Sequence, residues 1–232
     1  IAREADAVLY TQAGPEIAVA STKAYTTQLA VLVLLALYVG AERGTVTRER
    51  VDAVLQGLSR IATTLEQLIP RVEPQIREAA VEWGRVADVF FIGRGLDYAV
   101  AMEGQLKLKE VSYIHAEALP AGELKHGTLA LITEGIPVVA LATQPHLLEK
   151  TLSNIKEVKA RGARVLLLTG EAAHSRRLEQ AADTVIVLPA VDPDLMPLIT
   201  VVPLQLLAYY AAVNRGCDVD KPRNLAKSVT VE

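Results

Sequence analysis

Four acidic residues, three lysines and two of the four histidines of this chain fall between Glu103 and Gly127. Glu103, Lys107 and Glu110 stand at i, i+4 and i+7, so they share one face of a helix. Pro120, Gly122 and Gly127 then break helix, and the second half of the stretch, with His115 and His126, reads as a loop. A charged helix face followed by a histidine-bearing loop is one way to build an acid/base site. The same spacing also serves a solvated face of ordinary Glu–Lys pairs, and both readings stand at this point.

Other candidate motifs are weaker. Gly93-Arg94-Gly95 precedes a predicted helix where a dinucleotide fold carries its glycine fingerprint, but Tyr98 occupies the third glycine position. A tight turn explains the glycines and leaves Arg94 as an anion partner. There is no P-loop pattern and no G-x-S-x-G elbow. The histidines at 115, 126, 146 and 174 lack paired ligand spacing, so neither a catalytic metal nor a cofactor is expected. Ser21-Thr22-Lys23, at a helix start, suits either a phosphate oxygen or simple capping. Lys227, in the tail, reads by itself as an exposed lysine.

The elements that must position these residues follow from composition and period. The chain has 232 residues, 51% hydrophobic and 22% charged, which is globular composition. A net charge of −3 gives no electrostatic case for nucleic acid. The single cysteine, Cys217, excludes an intramolecular disulfide and fits a reducing, cytoplasmic setting. The longest apolar run, Leu29 to Val39, is short of the ~20 residues of a membrane span and predicts a buried helix. The start, Ile-Ala-Arg-Glu-Ala-Asp, has neither a methionine nor a basic leader, which suggests a beginning inside a longer protein.

Ala5 to Tyr10 predicts a buried strand, with a turn at Gly14-Pro15. Ser21 or Thr22 then caps a helix to about Val39. Arg48 to about Leu68 predicts a second helix closed by Pro70, and Pro74 to Trp83 a third. From Asp88 onward apolar strands (89–92, 137–142, 165–169, 184–188) alternate with helices (to about 113, 147–160, 172–182, about 195–214). That alternation implies a parallel sheet covered on both faces, with ligands at the carboxyl ends of its strands. The runs Leu29–Tyr38 and Val202–Tyr209 suggest equivalent closing helices of two tandem copies, the first largely cut away.

Several blocks are more specific: Glu103-Gly-Gln-Leu-Lys-Leu-Lys-Glu110, His115-Ala-Glu-Ala, Gly122-Glu-Leu-Lys-His-Gly127, Thr200-Val-Val-Pro-Leu-Gln-Leu-Leu-Ala-Tyr209 and Asp218-Val-Asp-Lys-Pro-Arg-Asn-Leu-Ala-Lys-Ser-Val-Thr-Val-Glu232. With Val19-Ala-Ser-Thr-Lys-Ala-Tyr25, they resemble the glutamine:fructose-6-phosphate aminotransferase (isomerising) family along the whole chain. The resemblance implies an α/β, three-layer sugar-isomerase (SIS) domain with a flavodoxin-like parallel sheet, preceded by the C-terminal remnant of a first SIS domain. The implied parts are 1–45 for that remnant, 46–75 for linker helices, 76–220 for the second SIS domain and 221–232 for a catalytic tail. The family's N-terminal glutaminase and most of its first SIS domain, including the loop that grips the sugar phosphate, have no counterpart here.

By motif, Lys227 resembles the lysine that forms a Schiff base with an open-chain ketose, which needs a neutral amine. Glu110 resembles the base that moves a proton between C1 and C2, and Lys107 a residue that tunes it. His126 resembles a histidine that assists ring opening in the neighbouring subunit's site. Val19, Ser21 and the backbone of Ala226 resemble substrate contacts, whereas Arg94 and Glu103 are matched as structural. The resemblance implies a phosphosugar substrate, a cytoplasmic homodimer, and neither nucleic-acid nor membrane partners. The fragment alone is expected to be inactive. A non-catalytic phosphosugar-binding module and another SIS-type isomerase or deaminase are the alternatives. Cys217 is not the glutaminase nucleophile, and Thr128 stands where many relatives carry proline.

Overall fold

The computed structural model describes residues 2–83, 85–173 and 175–228. Five strands, β1 (Asp88–Gly93), β2 (His115–Pro120), β3 (Pro137–Ala142), β4 (Arg164–Gly170) and β5 (Thr184–Leu188), pair in parallel in the order β2-β1-β3-β4-β5. This is the flavodoxin-like order, with its switch point between β1 and β3. Helices α2 (Arg48–Trp83), α3 (Leu96–Ser112) and α6 (Met196–Asn214) pack on one face. α4 (Leu148–Lys159), the short α5 (Arg176–Glu179) and a 3-10 turn (Ala121–His126) cover the other. Alternate strand residues serve the two faces: Phe91, Val139, Leu141 and Leu168 join the α3/α6 side, whereas Phe90, Ile92, Val138 and Leu167 join the α4 side. The three-layer α/β expectation is met.

Two glycines make close approaches that a side chain would block. A Cβ on Gly93 would lie 2.6 Å from the backbone of Asp97, so the strand-to-helix turn into α3 needs glycine there. A Cβ on Gly104 would meet Leu204 of α6 at 2.7 Å and Phe91 of β1 at 3.1 Å, so this glycine lets α3 sink between the sheet and α6.

Several expectations are corrected. Ala5–Tyr10 forms no strand and is exposed, because no described strand lies beside it to take up its backbone groups. The run Leu29–Val39 lies in α1 (Lys23–Glu42), which is not buried. Tyr25, Leu29, Val33 and Leu37, each four residues apart, pack on the core, while Leu32, Leu34, Leu35, Tyr38 and Val39 face outward. α1 and α6 are both long and apolar enough to cross a membrane, but α6 is mostly buried against α2 and α3. The two helices therefore differ sharply in burial.

Pro70 does not end a helix, and no new one begins at Pro74: α2 runs unbroken through both. Both prolines are exposed, while Val54, Ile61, Leu68, Val72, Ile76 and Ala80 bury the opposite face at spacings of seven and four. Each proline forfeits one hydrogen bond on the solvent side, and the buried stripe outweighs the loss. His115–Pro120 is the edge strand β2, not loop. The expected helix at 172–182 shrinks to a 3-10 turn at Glu171–Ala173 and the single turn of α5. His174 and residues 229–232 of the tail lie outside the described residues.

The α2 stripe should carry much of the stability on this face. Ile76 is fully buried and Ile69 is 36% exposed. Ile76→Ala is expected to cost about 2–5 kcal/mol and Ile69→Ala only about 0.5 kcal/mol in urea unfolding. Equal losses would mean that α2 is not packed as described.

Candidate active site

α3 enters the core at Gly104 and carries Glu103, Lys107 and Glu110 on one face, as the spacing requires. Lys107 is 4% exposed, and burial of an unpaired ammonium would be prohibitive. Its Nζ lies 2.5 Å from Glu110 Oε2 and 3.5 Å from Glu103 Oε1, one cation between two carboxylates. Burial pushes the Glu103 carboxyl up, opposed by the charge and hydrogen bond of Lys107 and reinforced by Glu110. Tyr25 of α1 is pushed up to about 12, by burial first and then by the Glu103 charge, so its phenol stays protonated at neutral pH. The reading as a solvated Glu–Lys face fails for Lys107.

The two ends of the described chain meet beside α3. Val19 N–H donates to the Asp220 carbonyl at 2.9 Å. In the tail, Asp218 Oδ1 accepts from the backbone N–H groups of Asp220 and Lys221 at 3.0 and 2.9 Å, a local turn. Arg223 N–H then donates to Tyr113 Oη at 2.8 Å, and its guanidinium lies 4.2 Å above the Tyr113 ring. Tyr113 is the C-cap of α3 and adopts the left-handed conformation, φ +61°. The tail is thereby clamped to the end of the helix that carries Glu110.

Beyond the clamp, Lys227 Nζ donates to Glu16 Oε2 at 2.8 Å and to Ser21 Oγ at 3.3 Å. Glu16 also caps α1: its Oε1 accepts from Thr22 N–H at 2.9 Å, Thr22 Oγ1 at 3.3 Å and Ala24 N–H at 3.3 Å. Neither Ser21 nor Thr22 supplies the expected side-chain cap. Burial pushes the Glu16 carboxyl up, but the hydrogen bonds from Lys227, Thr22 and Ala24 outweigh it and hold it at about 2. Sequence reasoning missed Glu16. Its signal was an acid a few residues upstream of a helix start, but its partner lies 211 positions away.

Of these residues, Thr22, Lys107 and Asp220 line a cavity of about 220 Å³, together with Ala20, Gln205 and Tyr209 among others. Lys107 brings the Glu110 pair to it, and Ala20 and Thr22 flank Ser21, where Lys227 docks. A larger cavity of about 410 Å³ between α1, α2 and α6 is almost wholly apolar; Arg50 and Asp194 at its edge are ion-paired to each other. It offers no chemistry.

The remaining predicted residues are less gathered. His126 lies in the turn after β2, 64% exposed, with Glu123 Oε2 3.9 Å from its Nε2, and it does not line the cavity. Ala226 is exposed. Arg94 donates to Asn154 Oδ1 at 3.2 and 2.9 Å near the switch point. Cys217 packs against the core, and its Sγ lies 3.9 Å from the Ser112 carbonyl.

Comparison with known proteins gives this geometry a setting. The chain is 60% identical over all 232 residues to a glutamine–fructose-6-phosphate aminotransferase [isomerizing] of Caldanaerobacter subterraneus subsp. tengcongensis, and 50% identical to one of Thermus thermophilus. In each case it spans only 38% of the relative's length. Its structure matches the C-terminal domain of glucosamine-fructose-6-phosphate aminotransferase from Francisella tularensis with a TM-score of 0.88 and 39% identity, covering 95% of this chain and 61% of that one. A putative tagatose-6-phosphate ketose/aldose isomerase of Clostridium novyi NT shares the fold alone, at 15% identity and a TM-score of 0.78 over 93% of this chain and 55% of that one. The SIS domain description matches residues 1–38 and 86–215, more than half of the chain. The chain therefore belongs to the SIS domain family.

Proposed function

We propose that this chain supplies the isomerase site of a glutamine–fructose-6-phosphate aminotransferase, acting on open-chain fructose 6-phosphate. The observation that carries the reading is the docking of Lys227 on Ser21, whose neighbours Ala20 and Thr22 line the same cavity as Lys107, the partner of Glu110. The Lys227 amine attacks the C2 carbonyl, and loss of water leaves a protonated imine. That cationic nitrogen acidifies the C1 hydrogens. Ammonia then displaces Lys227 from C2, freeing the lysine amine. Glu110 takes a proton from C1 of the resulting protonated imine and returns it at C2 as the C1 hydroxyl gives up its proton, which leaves an amine at C2 and an aldehyde at C1. Lys107 Nζ, 2.5 Å from Glu110 Oε2, holds the carboxylate in place for the first of these transfers. Val19, Ser21 and the Ala226 backbone contact the sugar. His126 assists ring opening across a dimer interface, consistent with its exposure away from Lys227.

In this reading residues 1–45 close a first SIS unit, 46–75 link it to the second unit at 76–220, and 221–232 form the catalytic tail. The separate match of 1–38 supports the first assignment, and the setting is cytoplasmic. Glutamine hydrolysis and the phosphate grip belong to regions outside this chain. The 232 residues alone are therefore expected to form no glucosamine 6-phosphate from fructose 6-phosphate and ammonia, and measurable product would contradict this.

A chimera joining this chain to the N-terminal portion of the Caldanaerobacter relative tests the chemistry. Borohydride with fructose 6-phosphate should leave a reduced adduct on Lys227, found by peptide mass, and Lys227→Ala should abolish it. Lack of any adduct in the unmutated chimera would favour a module that only binds phosphosugar. Glu110→Gln should still form the adduct but exchange the C1 proton with solvent at least about 100-fold more slowly. Mixing Lys227→Ala and His126→Ala chimeras should restore part of the activity that each lacks. No recovery would remove His126 from the partner's site.

A further inference from the structure

Glu16 divides its carboxylate between two tasks. Oε1 takes the Thr22 and Ala24 amides, first-turn donors of α1 that have no partner within the helix. Oε2 takes the ammonium of Lys227 at 2.8 Å. The acid's side chain is 9% exposed and the lysine's 40%, so the anion is fixed inside and the cation comes to it from the surface.

We propose that Glu16 is a positioning residue for Lys227, holding its ammonium against the start of α1 until an arriving ketose displaces it, so that the free amine appears only on release from the carboxylate. The inference rests on the reading of Lys227 as the imine-forming lysine. An ammonium beside a carboxylate keeps its proton more firmly, and a protonated lysine cannot attack a carbonyl. Glu16 is itself too weak a base to remove that proton, which leaves to water. The hold is complete at neutral pH and fades only as pH falls through about 2, because the acid's folded value lies below its ordinary 4.5.

Other charged groups nearby are committed or set apart. Lys23 Nζ donates to the Pro15 carbonyl at 2.7 Å. Lys107 is held by Glu103 and Glu110 of α3, and Asp220 of the tail lines the neighbouring cavity. Ser21 Oγ, at 3.3 Å, is the only other side chain hydrogen-bonded to the ammonium among the described residues.

The two oxygens allow a clean substitution. In Glu16→Gln the amide oxygen can keep the cap of α1 while the NH₂ cannot accept from Lys227. Competitive acetylation with acetic anhydride from pH 6 to 11, read by peptide mass on the 232-residue chain, reports when each amine becomes free. In Glu16→Gln the labelling of Lys227 near pH 8 should rise several-fold, with exposed Lys156 unchanged. A thermal melt controls for folding. Unchanged or reduced labelling of Lys227 overturns the proposal. In the chimera, borohydride trapping of fructose 6-phosphate near pH 8 should rise with the same substitution. If the labelling rises but the unmutated chimera yields no adduct, the hold by Glu16 stands and the imine reading falls.

Discussion

A buried ammonium governs the arrangement of this protein's candidate site. Lys107 is 4% exposed, and a charge in that position is tolerable only with anions at hand, which Glu103 and Glu110 provide from the same helix. Helical spacing brings the three together, and Gly104 lets the helix lie deep enough for their face to be enclosed by α6 and by the meeting of the chain's two ends. The stability of the fold and the chemistry of the site are therefore coupled. Whatever excludes water from Lys107 also strengthens its grip on Glu110.

Much of the fold was legible in local pattern. β3 and β5 begin and end where their apolar runs do, at Pro137–Ala142 and Thr184–Leu188. β2 was not legible. His-Ala-Glu-Ala-Leu-Pro has no β-branched or aromatic residue, and it is a strand because it extends the sheet beside β1, a long-range fact. The two prolines of α2 misled in the opposite direction: local rules read them as stops, but the cost of a proline depends on which side of the helix faces water. α1 misled through composition, since an apolar run says how much surface asks for cover and not whether these residues cover it.

The site was legible in part and for two different reasons. The shared face of Glu103, Lys107 and Glu110 follows from period alone, while Lys227 and Val19 entered through likeness to a family, because nothing local marks a tail lysine as special. Glu16 entered by neither route. Its importance is a meeting between residue 16 and residue 227, which no window along the chain contains.

The Tyr113–Arg223 contact has a geometric corollary. It fastens the tail to the C-cap of α3, three positions after Glu110, so both ends of the proposed chemistry are measured from one rigid rod. A residue inserted in α3 ahead of Glu103 would turn the acid and the tail's anchor together, by about 100°. One inserted between Glu110 and Tyr113 would turn the anchor alone and carry the lysine off its bearing. The last turn of α3 thus acts as the gauge for the spacing of the two reactive groups, and its length is less free to vary than that of any loop nearby.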